Sequence, residues 1–517
     1  METQNRKSIL RVPLLLLVCV VLFCFGVGAV SAAGTSGNST IYVSTDGNDT
    51  WDGLSPVYNT TSGPKKTIKN ATGTVAANGT VYIAPGTYTE YWIVIDRDMT
   101  ITGANQKNTI INGQQSGNSI FKILPGITVN INNLTLTNNS ANLGGAIYNW
   151  GSLTVMNCTL TNNNANVGGA LFNWGSLTVM NCTFTNNSAG NGGGAIYNYW
   201  GVLAVMNCTF TNNSAKYYGG AIWSCVAEGS GGVVHFNRIV GNSQSNSQIY
   251  SGSGVVDARF NWWGSNFDPS GYVSNGYGGS VDVSSWLVLN IRVDPANGGN
   301  SIVTVDLLHD NTGVYHDPVN GHVPDGIVVY FASDRGILKP VSMVLVNGSA
   351  TSVFTATSMG SGNITATVDN QKVSTPITIN QAPTTVIVDP VSGHAGQNVA
   401  LKAHVTDLNG NAVTDGRVTF RVNGIVIGGG DVSNGLATVN WTIPTTWTSG
   451  VYGVAAEYSG SANYLVSTNT TNLTVTPIST SVIVDPVGGT GISIGPLPGH
   501  CSIVSLPQNH TTEHRHG

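Results

Sequence analysis

Residues 134–149 read LTLTNNSANLGGAIYN, and this stretch decides the fold because the chain repeats it. Related units run from Cys158 to Asn173, from Cys182 to Asn198 and from Cys208 to Ser224. The first residues of the four units are 24, 24 and 26 positions apart. A fixed period of this length is typical of a solenoid, in which each unit stacks on its neighbours.

The pattern inside a unit predicts short β-strands. Apolar residues alternate with polar ones, as Leu153 and Val155 do around Thr154, and this period favours strands over helices. The strands are bounded by Asn-Asn and Gly-Gly pairs, which tolerate the left-handed backbone angles of tight turns. One unit cannot bury its apolar face alone, but a copy stacked ~4.8 Å above it can. The repeat therefore predicts a parallel β-helix.

Stacking places equivalent residues above one another, so the repeat predicts three ladders along the β-helix. One is an amide ladder, one is an aromatic stack, and one is a small interior apolar site that accepts leucine or cysteine. In that order, the predicted ladder residues are Asn149, Asn173 and Asn198; Tyr148, Phe172, Tyr197 and Trp223; and Leu134, Cys158, Cys182 and Cys208. We expect buried thiols, because stacked side chains lie outside the usual disulfide Cβ separation of ~3.5–4.5 Å. Disulfide bridges are the alternative.

The β-helix is predicted over residues 80–280, after a capping segment at residues 33–79. Strand-like sequence begins at Thr80, and the last degenerate rungs end near the NWWG sequence at residues 261–264. At ~24 residues per rung this length gives about eight rungs. Open ends of such a stack need covering, and the stretch before Thr80 and the Trp262-Trp263 region are the candidates.

Three parts of this region resemble known families. The segments IYVSTDGNDTWDGLSP at 41–56, GPKKTI at 63–68 and VYIAPGTY at 81–88 resemble the opening of pectate-lyase-like right-handed β-helices. The GGAIYN and NCTFTNN units resemble the polymorphic outer-membrane protein repeat. Together with NWWG, the combination resembles the adhesin-like surface proteins of methanogenic archaea. The resemblance implies a right-handed β-helix displayed on a cell surface.

The second half of the chain predicts Ig-like β-sandwiches at residues 286–380 and 384–476. Short strands alternate with turn signals such as Asn347-Gly348, and residues 326–338 with 362–368 resemble the bacterial Ig-like domains of invasin-type adhesins. TVIVDP at 385–390 returns as SVIVDP at 481–486, an offset of 96 residues, close to one sandwich of ~100. Residues 477–517 are therefore expected to be an incomplete third copy with an irregular tail, which is truncated, frameshifted or natural. The predicted fold class is all-β.

The N-terminus predicts export to the cell surface or the extracellular space. Basic residues at Arg6, Lys7 and Arg11 precede a mostly apolar stretch at 14–30, and small residues follow at 30–32. Residues 1–32 are thus expected to be a signal peptide, with an uncleaved membrane anchor as the alternative. Several sequons predict a glycoprotein. Among them are Asn48, Asn59, Asn157, Asn207, Asn363 and Asn440.

Charge and chemistry argue against catalysis. The net charge of -5 gives no reason to expect a nucleic-acid partner, and residues 99–227 contain neither Asp nor Glu. Glycoside hydrolysis needs paired carboxylates, and a lyase needs a base with bound cations. We therefore expect that the protein is not an enzyme and binds no cofactor or metal. Carboxylates near the ends of the β-helix are interpreted as turn and cap residues: Glu90, Asp96, Asp98, Glu228, Asp257 and Asp268.

The histidines are likewise interpreted as residues without a catalytic or metal-binding role. His235 has no nearby acid in sequence, so a surface or internally satisfied histidine is expected. The tail histidines His500, His510, His514 and His516 lack a fixed framework for a metal.

Three functions fit the sequence. The first is a non-catalytic adhesin that binds glycans or other cells through the β-helix, with the Ig-like units as a stalk. The second is a carbohydrate-active enzyme, a polysaccharide lyase or glycosidase, with a site at the ends of the β-helix. The third is a purely structural envelope component.

Overall fold

The computed structural model describes residues 40–226, 231–242, 247–294 and 300–483. Several parts of the sequence lie outside the described residues, namely the predicted signal peptide, Glu228, Cys501, the tail histidines and most of the third Ig-like copy. The all-β prediction is confirmed, as is its order of a parallel β-solenoid followed by Ig-like sandwiches.

The solenoid winds through three main faces and one short corner, and its strands pair in parallel. Face one contains Thr40–Val43, Gly79–Ile83, Met99–Gly103, Thr128–Asn132, Ser152–Met156, Ser176–Met180, Val202–Met206, Gly231–His235, part of Ile249–Asp257, and Gly279–Asp282. Face two contains Gly86–Thr89, Thr109–Asn112, Thr135–Thr137, Thr159–Thr161, Thr183–Thr185, Thr209–Thr211 and Arg238–Val240. The corner contains Ser140–Leu143, Asn164–Val167, Ser188–Ala189 and Ser214–Ala215. Face three contains Ile93–Ile95, Phe121–Ile123, Ile147–Asn149, Leu171–Asn173, Ile196–Tyr199, Ile222–Cys225, the first part of Ile249–Asp257, and Val273–Asn275.

Register follows the sequence repeat. Leu153 pairs with Leu177, and Val155 pairs with Val179, so identical apolar side chains meet in the interior, where all four are at most 2% exposed.

The backbone conformation at the corners explains why asparagines recur there. Asn157 and Asn162 bound a face-two strand, and both have positive φ, at 51° and 56°. Asparagine adopts this left-handed conformation more readily than other residues with a Cβ, so it turns the chain at each corner.

The solenoid begins earlier than the predicted Thr80. Thr40–Val43 pairs in parallel with the strand Gly79–Ile83, so the segment expected only to cap the stack also supplies its first strand. The short α-helix Ile68–Thr74 then covers this end and buries Ile68 and Ala71. The Thr67 side chain caps it by accepting from the Asn70 backbone N–H.

Two sandwiches follow the solenoid. The first pairs a sheet of Leu287–Val293, Asn300–Asp310, Ser349–Ala356 and Gly336–Lys339 with a sheet of Ser342–Val344, Val328–Ser333, Gly360–Val368 and Gln371–Ile379. The second pairs Thr384–Val388, Asn398–Asp407 and Leu436–Thr442 with Val391–His394, Ser467–Thr476, Gly450–Tyr458, Arg417–Val422 and Ile425–Asp431. Two short 3₁₀ helices, Pro269–Tyr272 and Pro318–Asn320, lie in the connections.

The first sandwich packs against the solenoid beside its last face-two strand. Trp262 is fully buried in the same apolar cluster as Leu287 of the sandwich. The Trp262 Nε1–H donates to Asp369 at 2.7 Å, and Arg238 forms an ion pair with the same carboxylate. An open strand edge would template pairing with other chains, and this contact covers the edge of the last face-two strand.

Gly175 shows how closely the rungs approach. A Cβ placed on it would overlap the carbonyl oxygen of Gly151 in the preceding rung, whereas a Cβ on Gly73 meets nothing within 4 Å. We expect Gly175→Ala to destabilise the protein by about 1–3 kcal/mol through overpacking. Gly73→Ala, in the capping helix, should instead stabilise it by about 0.5–1 kcal/mol. Denaturant unfolding of both variants measures the difference, and equal midpoints would contradict the stacking geometry.

Candidate functional site

The predicted amide ladder residues lie in the interior in one line. Asn149 Nδ2 donates to Asn173 Oδ1 at 2.6 Å, and Asn173 Nδ2 donates to Asn198 Oδ1 at 2.6 Å. The line continues into Ser224, whose Oγ accepts from Asn198 Nδ2 at 3.2 Å. All four side chains are fully buried, and each of the three amides also donates to a glycine carbonyl of its own rung.

The Leu/Cys positions also lie in one interior line, and the described cysteines are free thiols. The backbone N–H of Cys158 donates to Cys182 Sγ at 3.4 Å, and that of Cys182 donates to Cys208 Sγ at 3.4 Å. Burial raises the pKa of Cys158 and Cys182 well above the ordinary value, so these thiols are unreactive at neutral pH. In the next rung Asn237 takes this position, because its Oδ1 accepts from the Cys208 N–H at 2.8 Å.

The interior contains a second amide ladder, which was not predicted from the sequence. Asn163 Nδ2 donates to Asn187 Oδ1, Asn187 to Asn213, and Asn213 to Asn242, at 3.1, 2.9 and 2.8 Å. These side chains are the second members of the Asn-Asn pairs or their equivalents, and are at most 5% exposed. The pairs were interpreted only as turns. Strand alternation carried through the turn would have placed the second asparagine inside.

The predicted aromatic residues lie on the outer side of face three. Tyr148 meets Phe172 edge to face at 5.5 Å, Phe172 stacks on Tyr197 at 5.6 Å, and Tyr197 stacks on Trp223 at 3.9 Å between ring centroids. Tyr250 extends the row, 6.1 Å from Trp223. The structure thus brings all four predicted rings into one continuous row.

A second row of rings lies beside the first and is more exposed. Trp150 lies 5.3 Å from Trp174, and Trp174 lies 5.1 Å from Tyr199. Trp150, Trp174 and Trp200 are 41%, 47% and 52% exposed. We call the two rows together the aromatic face. It consists of Tyr148, Trp150, Phe172, Trp174, Tyr197, Tyr199, Trp200, Trp223 and Tyr250.

Tyr199 is an insertion that enlarges this face. Earlier rungs pass directly from Asn173 to Trp174 and Gly175, whereas this rung has Tyr199 before Trp200 and Gly201. Tyr199 takes the stacking position, and Trp200 has a positive φ of 59°. A bulky residue in this conformation is a strained outlier, and such outliers cluster at functional positions.

Within residues 99–227, which supply most of the aromatic face, the charged residues are lysines. Residues 99–227 contain no carboxylate, and Lys122 Nζ lies 5.0 Å from the Trp92 ring and 5.8 Å from Tyr148. Burial raises the pKa of Tyr197 to about 12, so its phenol stays protonated. Such a surface suits apolar ring faces bearing hydroxyl groups, which stack on aromatic rings.

The carboxylates near the solenoid ends are held by local hydrogen bonds. Glu90 accepts from the backbone N–H groups of Ile68 and Lys69, at 2.7 and 2.9 Å, where the capping helix begins. Burial raises its pKa, while these two hydrogen bonds oppose the shift. Asp98 accepts from the Thr128 N–H, and Asp268 accepts from the Ser270 N–H at the start of the 3₁₀ helix. Asp96 pairs with Arg97.

His235 has an acidic partner that the sequence did not reveal. Its Nε2 lies 2.9 Å from Asp257 Oδ1, and Arg259 binds both oxygens of the same carboxylate at 2.9 and 2.7 Å. Burial opposes ionisation, but the hydrogen bonds from Arg259 and His235 hold the pKa of Asp257 well below its usual range. The partners stand 22 positions apart in the chain and meet only because their rungs are adjacent.

The described part of the chain contains neither a metal-binding cluster nor a membrane-spanning helix. Within it, no three His, Cys, Asp or Glu side chains gather closely enough to hold a metal ion. Of the helices in the described ranges, none has the length and apolar character needed to cross a bilayer.

Comparison with protein families identifies two kinds of module. The Chlamydia polymorphic membrane protein repeat matches residues 133–149, 181–199 and 207–225. The bacterial Ig-like domain (group 3) matches residues 379–476, which contain the second sandwich. No curated protein matches the chain.

Solved structures are similar over about a third of the chain. The Yersinia pseudotuberculosis adhesin InvE is 21% identical over 36% of this chain and 58% of its own, with a TM-score of 0.15. Invasin, described as a bacterial integrin-binding protein, is 22% identical over 37% of this chain and 40% of its own, with a TM-score of 0.16. The D0-D1 domain of intimin is 18% identical over 36% of this chain and 98% of its own, at 0.15. The chain therefore combines polymorphic membrane protein repeats with a bacterial Ig-like domain.

The amide ladder predicts a stability difference within one rung. Asn173→Ala removes a partner from both Asn149 and Asn198, and we expect it to cost about 2–4 kcal/mol because buried polar groups lose hydrogen bonds. Asn166→Ala, at an exposed position of the same rung, should stay within about 0.5 kcal/mol of wild type. Urea unfolding compares the two, and similar losses would show that the ladder adds no stability.

Asp257 predicts a pH dependence. Its folded-state pKa is lowered relative to an unfolded value of about 3.9, so its contribution is fully present above about pH 4 and is lost as the pH falls through the folded pKa. Asp257→Asn should therefore lower the unfolding temperature at pH 7, and its difference from wild type should shrink as the pH falls below about 4. Thermal unfolding from pH 7 to pH 2 measures this. A difference independent of pH would rule out the ion pair as its cause.

Proposed function

We propose that this protein is a non-catalytic adhesin displayed outside the cell, which binds glycans of other cells through the aromatic face. The Ig-like sandwiches serve as a stalk that holds the solenoid away from its anchor. The observation that carries the proposal is the exposed double row of rings around Trp150, Trp174 and Trp200.

Geometry supports glycans as the ligand class. The rings repeat at about 5–6 Å along the solenoid axis, so they form an extended surface suited to a chain of sugar residues. Exposed aromatic patches on a protein surface mark interaction sites, and residues 99–227 contain no carboxylate that would repel an acidic sugar. Tyr148, Phe172 and Tyr197 stand on paired strands. The exposed tryptophans occupy the bend directly after each strand and pack against these rings, which holds them in place before the ligand binds and lowers the entropic cost of binding.

Display outside the cell is supported by the polymorphic membrane protein repeats and by the signal peptide predicted at residues 1–32. The lack of catalysis is supported by the described end carboxylates, which are held by backbone N–H groups and arginines. A glycosidase instead needs two carboxylates free to face one sugar.

Substitution of the exposed tryptophans tests the proposal. We expect Trp174→Ala to weaken retention on the cells or polysaccharide that bind the wild type by about fivefold to tenfold, since one aromatic contact contributes about 1 kcal/mol or more. The matched control is Tyr330→Ala, because Tyr330 is 61% exposed on the first sandwich. Co-sedimentation with a panel of cells and insoluble polysaccharides measures retention.

The other functions give different results in the same experiment. A purely structural envelope component would bind no cell or polysaccharide in the panel. A carbohydrate-active enzyme would release reducing ends or unsaturated products from polygalacturonate or neutral polysaccharides, and such turnover would overturn the proposal.

A further inference from the structure

The inner row of the aromatic face, which contains Tyr148, Phe172, Tyr197, Trp223 and Tyr250, has ring faces that are largely covered. Tyr197 lies 3° from parallel to Trp223 at 3.9 Å, and 9° from parallel to Phe172 at 5.6 Å. Its two neighbours belong to the rungs on either side of it, so they lie over opposite faces of its ring. Phe172 is only 4% exposed. A sugar ring therefore cannot stack on the centre of the inner row.

The outer row, which contains Trp150, Trp174, Tyr199 and Trp200, is arranged differently. The Trp174 ring lies at 57° to Trp150 and at 81° to Tyr199. The Trp200 ring lies at 86° to Tyr199. The contacts of this row with Tyr148 and Phe172 are also steep, at 89° and 63°. Among the described residues, no aromatic ring lies parallel to any of the three tryptophans, so their faces are left for a ligand.

The angles within the outer row exclude a flat ligand. A crystalline polysaccharide presents its sugar rings in one plane, so it stacks on several aromatic rings only where those rings are coplanar. Here each ring is turned by at least 57° from the next, and a flat surface would meet one ring face at a time. A single glycan chain rotates at each glycosidic bond, so its successive sugar rings can follow these turns.

The spacing of the outer row sets the number of sugars. Its rings lie 5.3 and 5.1 Å apart from Trp150 through Trp174 to Tyr199, close to the strand spacing of ~4.8 Å. One pyranose ring has about this length. The exposed tryptophans follow the face-three strands of three successive rungs. A chain that lies along the solenoid axis can thus place one sugar on each of these rungs.

We propose that the outer row binds a single, non-crystalline glycan chain, which runs along the solenoid axis with one sugar on each of three rungs. The inference rests on the proposed function and adds to it the physical form of the glycan, the ring faces that contact it and the length of chain that fills the site. The inner row holds the tryptophans in position from behind.

The form of the ligand is tested by offering polysaccharides to the full chain in two physical states. Co-sedimentation measures retention on crystalline and on phosphoric-acid-swollen cellulose, and on crystalline and regenerated chitin. Affinity electrophoresis measures binding to soluble glucan, xylan, mannan and galactan. We expect binding to at least one swollen, regenerated or soluble polymer, and retention on the crystalline forms at least tenfold weaker.

The length of the site is tested with oligosaccharides of the polymer that binds best, titrated by calorimetry. We expect the affinity to rise by about fivefold to tenfold with each residue up to three, since each adds about one aromatic contact, and to change little beyond that. Trp200→Ala removes the ring at one end, so its affinity should level off at two residues. The matched control Tyr330→Ala should keep the wild-type profile. A variant that only loosened the solenoid would weaken binding at every length equally.

Three results overturn the proposal. They are retention on a crystalline form that equals or exceeds retention on the swollen form of the same polymer, an affinity that does not depend on oligosaccharide length, and binding to no swollen, regenerated or soluble polymer. In the last case, retention on cells that still depends on Trp174 would leave the adhesin function standing and reject only the single chain. Loss of both kinds of binding would reject the glycan adhesin as well.

Discussion

Every rung of the solenoid depends on parallel pairing in register with the next. The 24-residue offset sets Leu153 on Leu177 and Asn149 on Asn173, so each interior side chain must tolerate a copy of itself one strand spacing away. Apolar residues satisfy this by packing, and asparagines satisfy it by donating along the axis. The close approach at Gly175 and the left-handed asparagines at the corners follow from the same stacking.

The register between rungs also determines the outer surface of the solenoid. The pairing that lines up interior asparagines also lines up Tyr148, Phe172 and Tyr197 on the opposite side of the same strands. A ligand surface is thus produced by the same repetition that produces the core, with one row of rings on the paired strands and the exposed tryptophans in the bends that follow them. The inserted Tyr199 adds a ring to this surface at the cost of a strained Trp200.

Much of this was accessible from the sequence, because repetition encodes contacts between rungs. The matching units predict that Cys158, Cys182 and Cys208 share one position, and that the aromatic residues from Tyr148 to Trp223 form a stack. Contacts that do not recur from rung to rung could not be predicted from the sequence. The Thr40–Val43 strand pairs with the strand Gly79–Ile83, and Asp369 binds Trp262 across 107 positions. Periodicity carries no information on such pairs. The asparagines of the second ladder were not predicted, because their role in the turns does not indicate that their side chains lie in the interior.

The central claim is that the aromatic face, and not the stalk, contacts the ligand. Hydroxyl-radical footprinting measures this directly, because it compares the oxidation of tryptophan and tyrosine side chains in the free chain with that in the chain bound to the cells or polysaccharide that retain it. We expect protection of Trp150, Trp174 and Trp200 from oxidation, with the oxidation of Tyr330 on the sandwich unchanged. Protection of Tyr330 with full oxidation of the three tryptophans would contradict it.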